Sequence, residues 1–303
     1  MDKTIKVGLL GCGTVGGGVL LVLQKNKEII AKKTGCPIEI KTVLVRDKQK
    51  LKPEIKKFKI PVTEDPETIF NDPEIDVVVE LIGRVHPAKE YIEAALRKGK
   101  SVVTANKDVL AEYGDELFAL AAEKKVDFQF EGAVGGGIPI IRPLRSCLAA
   151  NQISGIMGIV NGTTNYMLTR MSQEGLAYAD ALAEAQAKGY AEADPTADVE
   201  GLDAARKIAV LASLAFNTRL TLQDVHVEGI DNLDACDVAY ADDLGYAVKL
   251  LGIAKKHPEY GISANVYPVM LPKDHPLASV NDVYNAVFVN GDAVGDAMFL
   301  GRG

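Results

Sequence analysis

The feature that most limits the fold of this chain is an alternation of short apolar runs with helix-type stretches over residues 1–130. Runs such as "VVVELIG" at 77–83 are almost continuously apolar, which is typical of strands covered on both faces. The alternation predicts an α/β fold with a doubly wound parallel sheet of the Rossmann type. The predicted strands are Ile5–Leu10, Thr42–Val45, Val77–Leu81, Val102–Thr104 and Phe128–Phe130, and the predicted helices are Gly17–Ile30, Ala88–Arg97 and Leu110–Glu123.

The stretch "EGAVGGGIPII" at 131–141 interrupts this alternation. Its four glycines and one proline predict a loop, and the pattern changes after it. We therefore predict two domains, a dinucleotide-binding domain at 1–132 and a second, α+β domain at 133–303. In the second domain the pattern predicts strands at 153–160, 262–270, 284–289 and 294–300, and helices at 176–187 and 201–215.

The segment "KVGLLGCGTVGGGVLLVL" at 6–23 contains glycines with the spacing G-x-G-x-x-G between a predicted strand and a predicted helix, which is the context that a dinucleotide fingerprint requires. One glycine permits the tight turn, the second lets the backbone approach a pyrophosphate, and the third lets helix and strand pack closely. The helix N-terminus also attracts phosphate. A structural turn without a ligand is the alternative. The predicted cofactor residues are Gly11, Gly13, Thr14, Val15 and Gly16.

The end of the second predicted strand, "VLVRDKQK" at 43–50, bears on the choice of dinucleotide. Arg46 follows the apolar run directly, and an arginine at this point can stack on adenine and bind a 2′-phosphate, which favours NADP. Asp47 is the competing candidate, because an acid there can bind the ribose hydroxyls of NAD. We predict NADP, with NAD as the alternative.

A second informative stretch is "GYAEADPTADVEGLDAARK" at 189–207. A solvated acidic loop is the simplest interpretation of its charges. However, Asp203 and Lys207 are four residues apart and share one face of an alanine-rich helix. A lysine on a mostly buried helix is costly unless it is paired, so the two side chains are expected to face a polar cleft together. Carboxylates and a lysine suit a zwitterionic substrate with an ammonium and a carbonyl group.

This stretch resembles the signature of the homoserine dehydrogenase family, as do "VTANK" at 103–107, "EGAVGGGIPI" at 131–140 and "NGTTNYML" at 161–168. The resemblance runs in order over nearly the whole chain. It implies reduction of L-aspartate 4-semialdehyde to L-homoserine with NADPH or NADH, on the route to threonine, methionine and isoleucine. It also implies a homodimer formed through the sheet of the second domain.

The resemblance implies a role for individual residues. Lys207 corresponds to the lysine that transfers a proton, and Lys107 to a lysine near the substrate and the nicotinamide, with Thr104 beside it at the cofactor. Glu192 and Asp203 correspond to carboxylates that bind the amino-acid substrate, and Asp198 to a supporting acid. The resemblance further implies a monovalent cation such as sodium, with a structural turn as the alternative. Its ligands would be the carbonyl oxygens of Glu131, Val134, Gly136 and Ile138.

The chain departs from the family pattern at two places. Arg84 stands where the family often has a second glycine, in "ELIGRVHP". Family members also continue past the position of Gly303, so we expect cofactor affinity, dimer stability and feedback control to depend on whether such a segment is present.

Composition narrows the class of protein. The formal charge of −7, from 34 basic and 41 acidic residues, argues against a nucleic-acid partner, which needs a basic face. The absence of an apolar stretch of about 20 residues argues against a membrane partner. The N-terminus enters a predicted strand at once, which leaves no room for a secretory signal. The four scattered cysteines have no metal-type spacing and indicate reduced thiols of a cytoplasmic protein.

Two alternative functions remain at this point. An enzyme similar to aspartate-semialdehyde dehydrogenase would need a cysteine nucleophile, for which Cys147 in "RPLRSCLAA" is the candidate. The other alternative is a dinucleotide-binding sensor without catalysis.

Overall fold

The computed structural model describes residues 3–50 and 52–303, which form two compact units. The first unit ends at Phe130 and the second spans Glu131–Gly303. The sequence-based boundary after residue 132 lies two residues further along, inside a short 3-10 turn at Glu131–Ala133.

The first unit alternates strands and helices in the predicted order. Its strands are β1 (Ile5–Leu10), β2 (Ile38–Leu44), β3 (Val62–Thr63), β4 (Val77–Glu80), β5 (Ser101–Thr104) and β6 (Phe128–Gln129). Its helices are α1 (Thr14–Lys25), α2 (Lys27–Thr34), α3 (Pro53–Lys56), α4 (Glu67–Phe70), α5 (Ala88–Arg97) and α6 (Lys107–Lys124). Within the described residues of this unit, the strands form one parallel sheet in the order β3-β2-β1-β4-β5-β6, which confirms the doubly wound α/β fold.

The strand order reverses between β1 and β4, so a crevice opens outside their carboxyl ends at Leu10 and Glu80. The buried side chains of Leu9, Leu20 and Val43 form the core beneath this point. Ligands of doubly wound sheets bind at such a switch point, so the fold places the glycine loop where a nucleotide is expected.

Two predicted elements of this unit differ from those observed. The helix predicted at Gly17–Ile30 is two helices, α1 and α2, because the helix stops at Asn26, whose N–H donates to the carbonyl of Val22. The strand predicted at Thr42–Val45 begins earlier, at Ile38, because its first residues alternate in exposure and the apolar run shows only its buried half.

The second unit combines a mixed sheet with helices. Its strands are β7 (Ile153–Ile159), β8 (His226–Val227), β9 (Tyr246–His257), β10 (Gly261–Pro272), β11 (Tyr284–Gly291) and β12 (Gly295–Arg302). Its α-helices are α7 (Gly162–Glu174), α8 (Tyr178–Ala187), α9 (Thr196–Val199), α10 (Leu202–Phe216) and α11 (Ala235–Asp243), and residues Pro143–Cys147 form a π-helix. In the described chain these strands lie in the order β12-β11-β7-β9-β10-β8, so the predicted α+β class is confirmed.

Helix α10 carries the predicted catalytic lysine and is seated closely on this sheet. An added Cβ at Gly252 of β9 would lie 3.0 Å from the Cβ of Ile208, which is tighter than an ordinary van der Waals contact, so glycine lets the helix lie close to the strand. The sequence patterns identified neither β9 nor α7 or α11. Among the residues that the structure describes, no helix combines the length and the apolar character needed to cross a membrane.

Candidate functional site

The glycine loop at the end of β1 contains three glycines, and the structural reason for a glycine differs from one position to the next. Gly11 has a φ of +92°, and a Cβ there would lie 2.7 Å from the carbonyl oxygen of Leu81. A Cβ at Gly16 would overlap the carbonyl oxygen of Gly11. A Cβ at Gly13 would meet nothing within 4 Å. The fold itself therefore requires glycine at 11 and 16, whereas the open space above Gly13 fits a backbone that must let a pyrophosphate approach.

Helix α1 starts directly at this open space. Its N-cap is Gly13, which has no side chain to satisfy the N–H groups of the first turn, and that turn contains no acidic residue. Thr14 and Val15 are exposed at this end. The N–H groups of this turn and the helix dipole therefore favour an anion, and the predicted cofactor residues of the loop lie together.

The residues after β2 present positive charge to solvent. Arg46 is exposed just beyond the strand. The carboxylate of Asp47 accepts a hydrogen bond from the backbone N–H of Gln49 at 2.8 Å and lies 3.7 Å from Lys50 Nζ. Lys52 acts on Cys12 of the glycine loop, where its charge opposes the burial that raises the pKa of that thiol. Sequence analysis did not single out Lys52.

A buried carboxylate organises the other side of the crevice. Glu80 is fully buried at the end of β4, where it accepts from Ile82 N–H at 2.7 Å and from the Thr104 hydroxyl at 2.6 Å. Asn106 caps α6 by accepting from Val109 N–H, and its Nδ2 donates to the carbonyl of Arg84 at 2.7 Å. These bonds join the loops after β4 and β5, and Thr104, the last residue of β5, lies at the carboxyl end of the sheet.

Lys107 and Arg84 occupy these same two loops. Lys107 is the first residue of α6 and is half-buried. Arg84 is exposed and has a φ of +60°, the left-handed region that glycine adopts most readily, so a glycine at this position would relieve backbone strain.

The acidic cluster of the second unit is built from three segments. Asn161, just before α7, donates through Nδ2 to Asp198 Oδ1 at 2.7 Å and to Asp203 Oδ2 at 2.9 Å. Lys207 Nζ lies 2.7 Å from Asp203 Oδ2 and donates to the carbonyl of Val160 at 2.7 Å. The predicted pairing of Asp203 with Lys207 is confirmed, and the predicted helix is largely buried.

Burial leaves a clear electrostatic mark on this cluster. It raises the pKa of Asp198, and the nearby charge of Asp203 acts in the same direction. Hydrogen bonds from Asn161 and Thr163 and the charge of Lys207 oppose that rise. The hydrogen bonds of the cluster do not include Glu192, which is exposed between α8 and α9 and whose carbonyl accepts from Gln186 Nε2.

The glycine-rich loop at 131–138 is a tightly packed turn. The carboxylate of Glu131 accepts from the backbone N–H groups of Ile141 and Arg142, so its side chain is engaged and only its carbonyl fits the predicted cation site. Gly136 has a φ of +48° and packs against the backbone of Gly303. The side chains of Val134 and Ile138 are buried, which leaves main-chain oxygens as the polar atoms of this turn.

Sequence analysis missed two residues with evident roles in these arrangements, Asn161 and Glu80. An asparagine before "GTT" carries a recognisable N-cap signal, and its side chain does accept from Thr164 N–H. That signal does not show where its other end points. Glu80 at the end of an apolar strand was visible as a polar interruption, but its partners come from later loops.

Comparison with known proteins gives consistent results for both units. A family model described as "Homoserine dehydrogenase, NAD binding domain" matches residues 11–131. A second model, described as "Homoserine dehydrogenase", matches residues 139–303.

Individual relatives agree with these models. The homoserine dehydrogenase of Bacillus subtilis is 49% identical over 99% of this chain and 69% of its own length. The structure of a homoserine dehydrogenase from Thiobacillus denitrificans has a TM-score of 0.95 at 48% identity, covering 99% of this chain and 69% of that one. A hyperthermophilic archaeal homoserine dehydrogenase in complex with NADPH has a TM-score of 0.82 at 28% identity, covering 99% and 92%.

Proposed function

This chain belongs to the homoserine dehydrogenase family of NAD(P)-dependent oxidoreductases that act on a CH–OH group, and from this premise we propose how its own residues act. Its substrate is a small molecule and its cofactor a nicotinamide dinucleotide. We propose that the reaction interconverts L-aspartate 4-semialdehyde and L-homoserine in the cytoplasm, with Lys207 as the group that supplies the proton.

The dinucleotide, when bound, supplies the hydride for reduction of the aldehyde. Negative charge then grows on the substrate oxygen, and a cationic donor must stabilise it and protonate it. Within the described chain, the Lys207 ammonium contacts the carbonyl of Val160 and Asp203 Oδ2. These two contacts fix its direction and leave a third N–H for the substrate oxygen. This geometry is the observation that carries the proposal.

The remaining predicted residues bind the two ends of an amino-acid substrate. Buried Asp203 and half-buried Asp198 provide negative charge that suits the substrate ammonium, and the exposed Glu192 completes this set. Lys107, at the first turn of α6, orients the substrate carboxylate or polarises its carbonyl.

NADP is the proposed dinucleotide. Exposed Arg46 supplies a planar cation suited to a 2′-phosphate, and the nearby Lys52 adds charge beside the glycine loop. Asp47 supports the same choice, because its carboxylate already accepts from Gln49 N–H, which leaves it less suited to bind a ribose hydroxyl.

We further propose a monovalent cation held by the carbonyl oxygens of the turn at 131–138, and a homodimer formed through the sheet of the second unit. The support for the dimer is an apolar row on one sheet face. Met298 and Leu300 of β12 are 40% and 55% exposed, and they lie beside Phe288 and Ala286 of β11.

The direct test mixes the purified chain with L-homoserine and NADP, or NAD in parallel, and follows absorbance of the reduced nicotinamide. We expect turnover with both and a higher kcat/KM with NADP. Dinucleotide binding without turnover would support the sensor instead. Alkylation of the thiols provides the second discrimination. Loss of activity traced to exposed Cys147, at the end of the π-helix, would favour the acyl-enzyme alternative.

A further inference from the structure

The amide of Asn161 joins two carboxylates that come from different helices. Each of its two N–H groups donates to a different acid, Asp198 Oδ1 on α9 and Asp203 Oδ2 on α10. We propose that Asn161 is a positioning residue of the reaction, because it holds this pair of acids side by side and ionised and thereby fixes the direction of Lys207. This inference rests on the role proposed above for Lys207.

The opposite end of the Asn161 side chain fixes the orientation of its amide. Its Oδ1 accepts from the backbone N–H of Thr164 at 2.8 Å and from the Thr164 hydroxyl at 3.0 Å. Only donors face the oxygen and only acceptors face the nitrogen, so the amide cannot rotate by 180° without losing all of these bonds. Asn161 is also only 5% exposed, so water does not replace the acids readily as its partner.

Asp198 in particular needs such a donor, because its surroundings disfavour its charged form. Burial and the charge of Asp203 both raise the pKa of Asp198. The charged groups that act on Asp198 include Asp203, which raises its pKa, and Lys207, which lowers it. Lys207 pairs with Asp203 directly and acts on Asp198 only through its charge, so the amide is the group that bonds to both carboxylates.

The consequence for the reaction follows from one shared atom. Asp203 Oδ2 accepts from Asn161 and from Lys207 at the same time. If the amide donor is removed, Asp203 Oδ2 keeps its contact with Lys207 but loses the bond that holds it beside Asp198. Lys207 then keeps the Val160 carbonyl but pairs with a less firmly placed carboxylate, and the substrate ammonium meets an Asp198 that is more readily protonated.

The experiment distinguishes the role of the Asn161 amide N–H groups, which bond to the acids, from that of its oxygen, which caps α7. Asn161→Asp and Asn161→Ser both keep a good N-cap acceptor for α7 but remove the two amide N–H groups that bond to the acids, and the shorter serine offers one hydroxyl at most. Loss of these charge-assisted hydrogen bonds should lower kcat/KM for homoserine about 10- to 100-fold. Thr164→Val is the matched control, because it removes only the hydroxyl bond to the Asn161 oxygen, while the backbone N–H of residue 164 still fixes the amide and both donors stay in place.

The pH profiles give a readout that a purely structural cap would not change. In Asn161→Ser, Asp198 loses an amide donor to its ionised form, so the pKa of Asp198 rises and the acidic limb of the profile moves to higher pH. In Asn161→Asp three carboxyl groups share one proton, so a new loss of activity appears as pH rises and that proton leaves. The Thr164→Val profile should overlay that of the unmodified chain. If both Asn161 profiles also overlay it, with turnover within about twofold, the inference is wrong.

A second measurement does not depend on turnover. Carbon-13 NMR titration of the aspartate carboxyl groups should show a higher pKa for Asp198 in Asn161→Ser than in the unmodified chain or in Thr164→Val. An unchanged Asp198 titration would overturn the inference. If the unmodified chain fails to oxidise homoserine, the proposed function fails, and this titration still decides whether Asn161 holds the acids ionised.

Discussion

The predicted cofactor residues of the first unit and the predicted substrate residues of the second unit are held in place by different means. In the first unit the cofactor end of the sheet is a backbone construction, in which Gly11 and Gly16 allow a tight approach and Gly13 leaves open space. In the second unit the substrate end is a side-chain construction, in which Asn161, Asp198 and Lys207 meet from segments far apart in sequence. Backbone sites depend on conformations that few residue types allow, whereas side-chain sites depend on charges kept in place at some cost in stability.

Replacement of Lys207 is expected to have the largest effect and tests the substrate end. Lys207→Ala should lower kcat by about 100-fold or more, the scale of a lost general acid, with little change in NADP affinity. Lys207→Arg should remain slow, because a guanidinium keeps its proton. Steady-state kinetics, NADP titration and thermal melts would measure these quantities.

The chain contains a matched control for this pair. Lys188 and Glu184 have the same i, i+4 spacing and the same 2.7 Å separation as Lys207 and Asp203, but Glu184 lies on α8, Lys188 is the C-cap of that helix, and both bond to the hydroxyl of Tyr166. Lys188→Ala should change stability alone. Near-normal turnover in Lys207→Ala, or rescue by arginine, would mean that the Lys207 pair is structural too.

Two alanine substitutions test whether the cofactor end is a backbone construction. Gly16→Ala should destabilise the first unit by about 2–3 kcal/mol, because the new Cβ overlaps the carbonyl oxygen of Gly11. Gly13→Ala should leave the melting temperature within about 2 °C, because its Cβ meets open space, but raise the Kd for the dinucleotide about tenfold or more. Equal effects of the two substitutions on binding and stability would remove the distinction.

Arg46 tests the choice between dinucleotides. Arg46→Ala should raise the Kd for NADP about 10- to 100-fold and that for NAD much less, since one charge-assisted contact with the 2′-phosphate is lost. Arg97→Ala removes an equivalent charge from α5 of the same unit and should change neither value. An equal loss for both dinucleotides would mean that Arg46 contacts only the parts they share, and tighter NADP binding would mean that it obstructs the site.

The same contrast explains which features could be predicted from the sequence. Gly11 and Gly16 were recognisable because their backbone conformation and close approach exclude other residues at a fixed spacing. Asp203 and Lys207 were recognisable because they are one helical turn apart. Asn161 was not, because its partners lie 37 and 42 residues away and the contact exists only after α9 and α10 have packed.

Strand β9 was not predicted for a related reason. Lys249 and Gly252 interrupt its apolar run, and both weaken a strand pattern. In the fold Lys249 is only 3% exposed and is more deeply buried than Lys207. It donates to the carbonyl of Val280 and to the side-chain oxygens of Asn165 and Asn281. Burial lowers its pKa to about 8. A lysine on an apolar stretch therefore indicates a buried polar contact, but the sequence alone does not distinguish a structural lysine from a catalytic one.

Asp198→Asn is expected to have the smallest effect on stability and tests whether the substrate end is maintained at a cost. The raised pKa of Asp198 means that the folded chain binds its proton more tightly than the unfolded chain does. Stability therefore falls as pH rises through the interval between the unfolded and folded pKa values, and at neutral pH the ionised carboxylate opposes folding. An asparagine keeps an oxygen for the Asn161 N–H and removes the charge, so we expect the free energy of unfolding at pH 7 to rise by about 1 kcal/mol, or Tm by about 2–4 °C.

Below the unfolded pKa of Asp198 the variant and the unmodified chain should melt alike. At pH 7 the kcat/KM of the variant for homoserine should fall. Thermal melts from pH 3 to 8 beside kinetics at pH 7 would measure both. A variant that is less stable at pH 7, or that keeps full activity, would show that Asp198 supports the fold rather than the substrate.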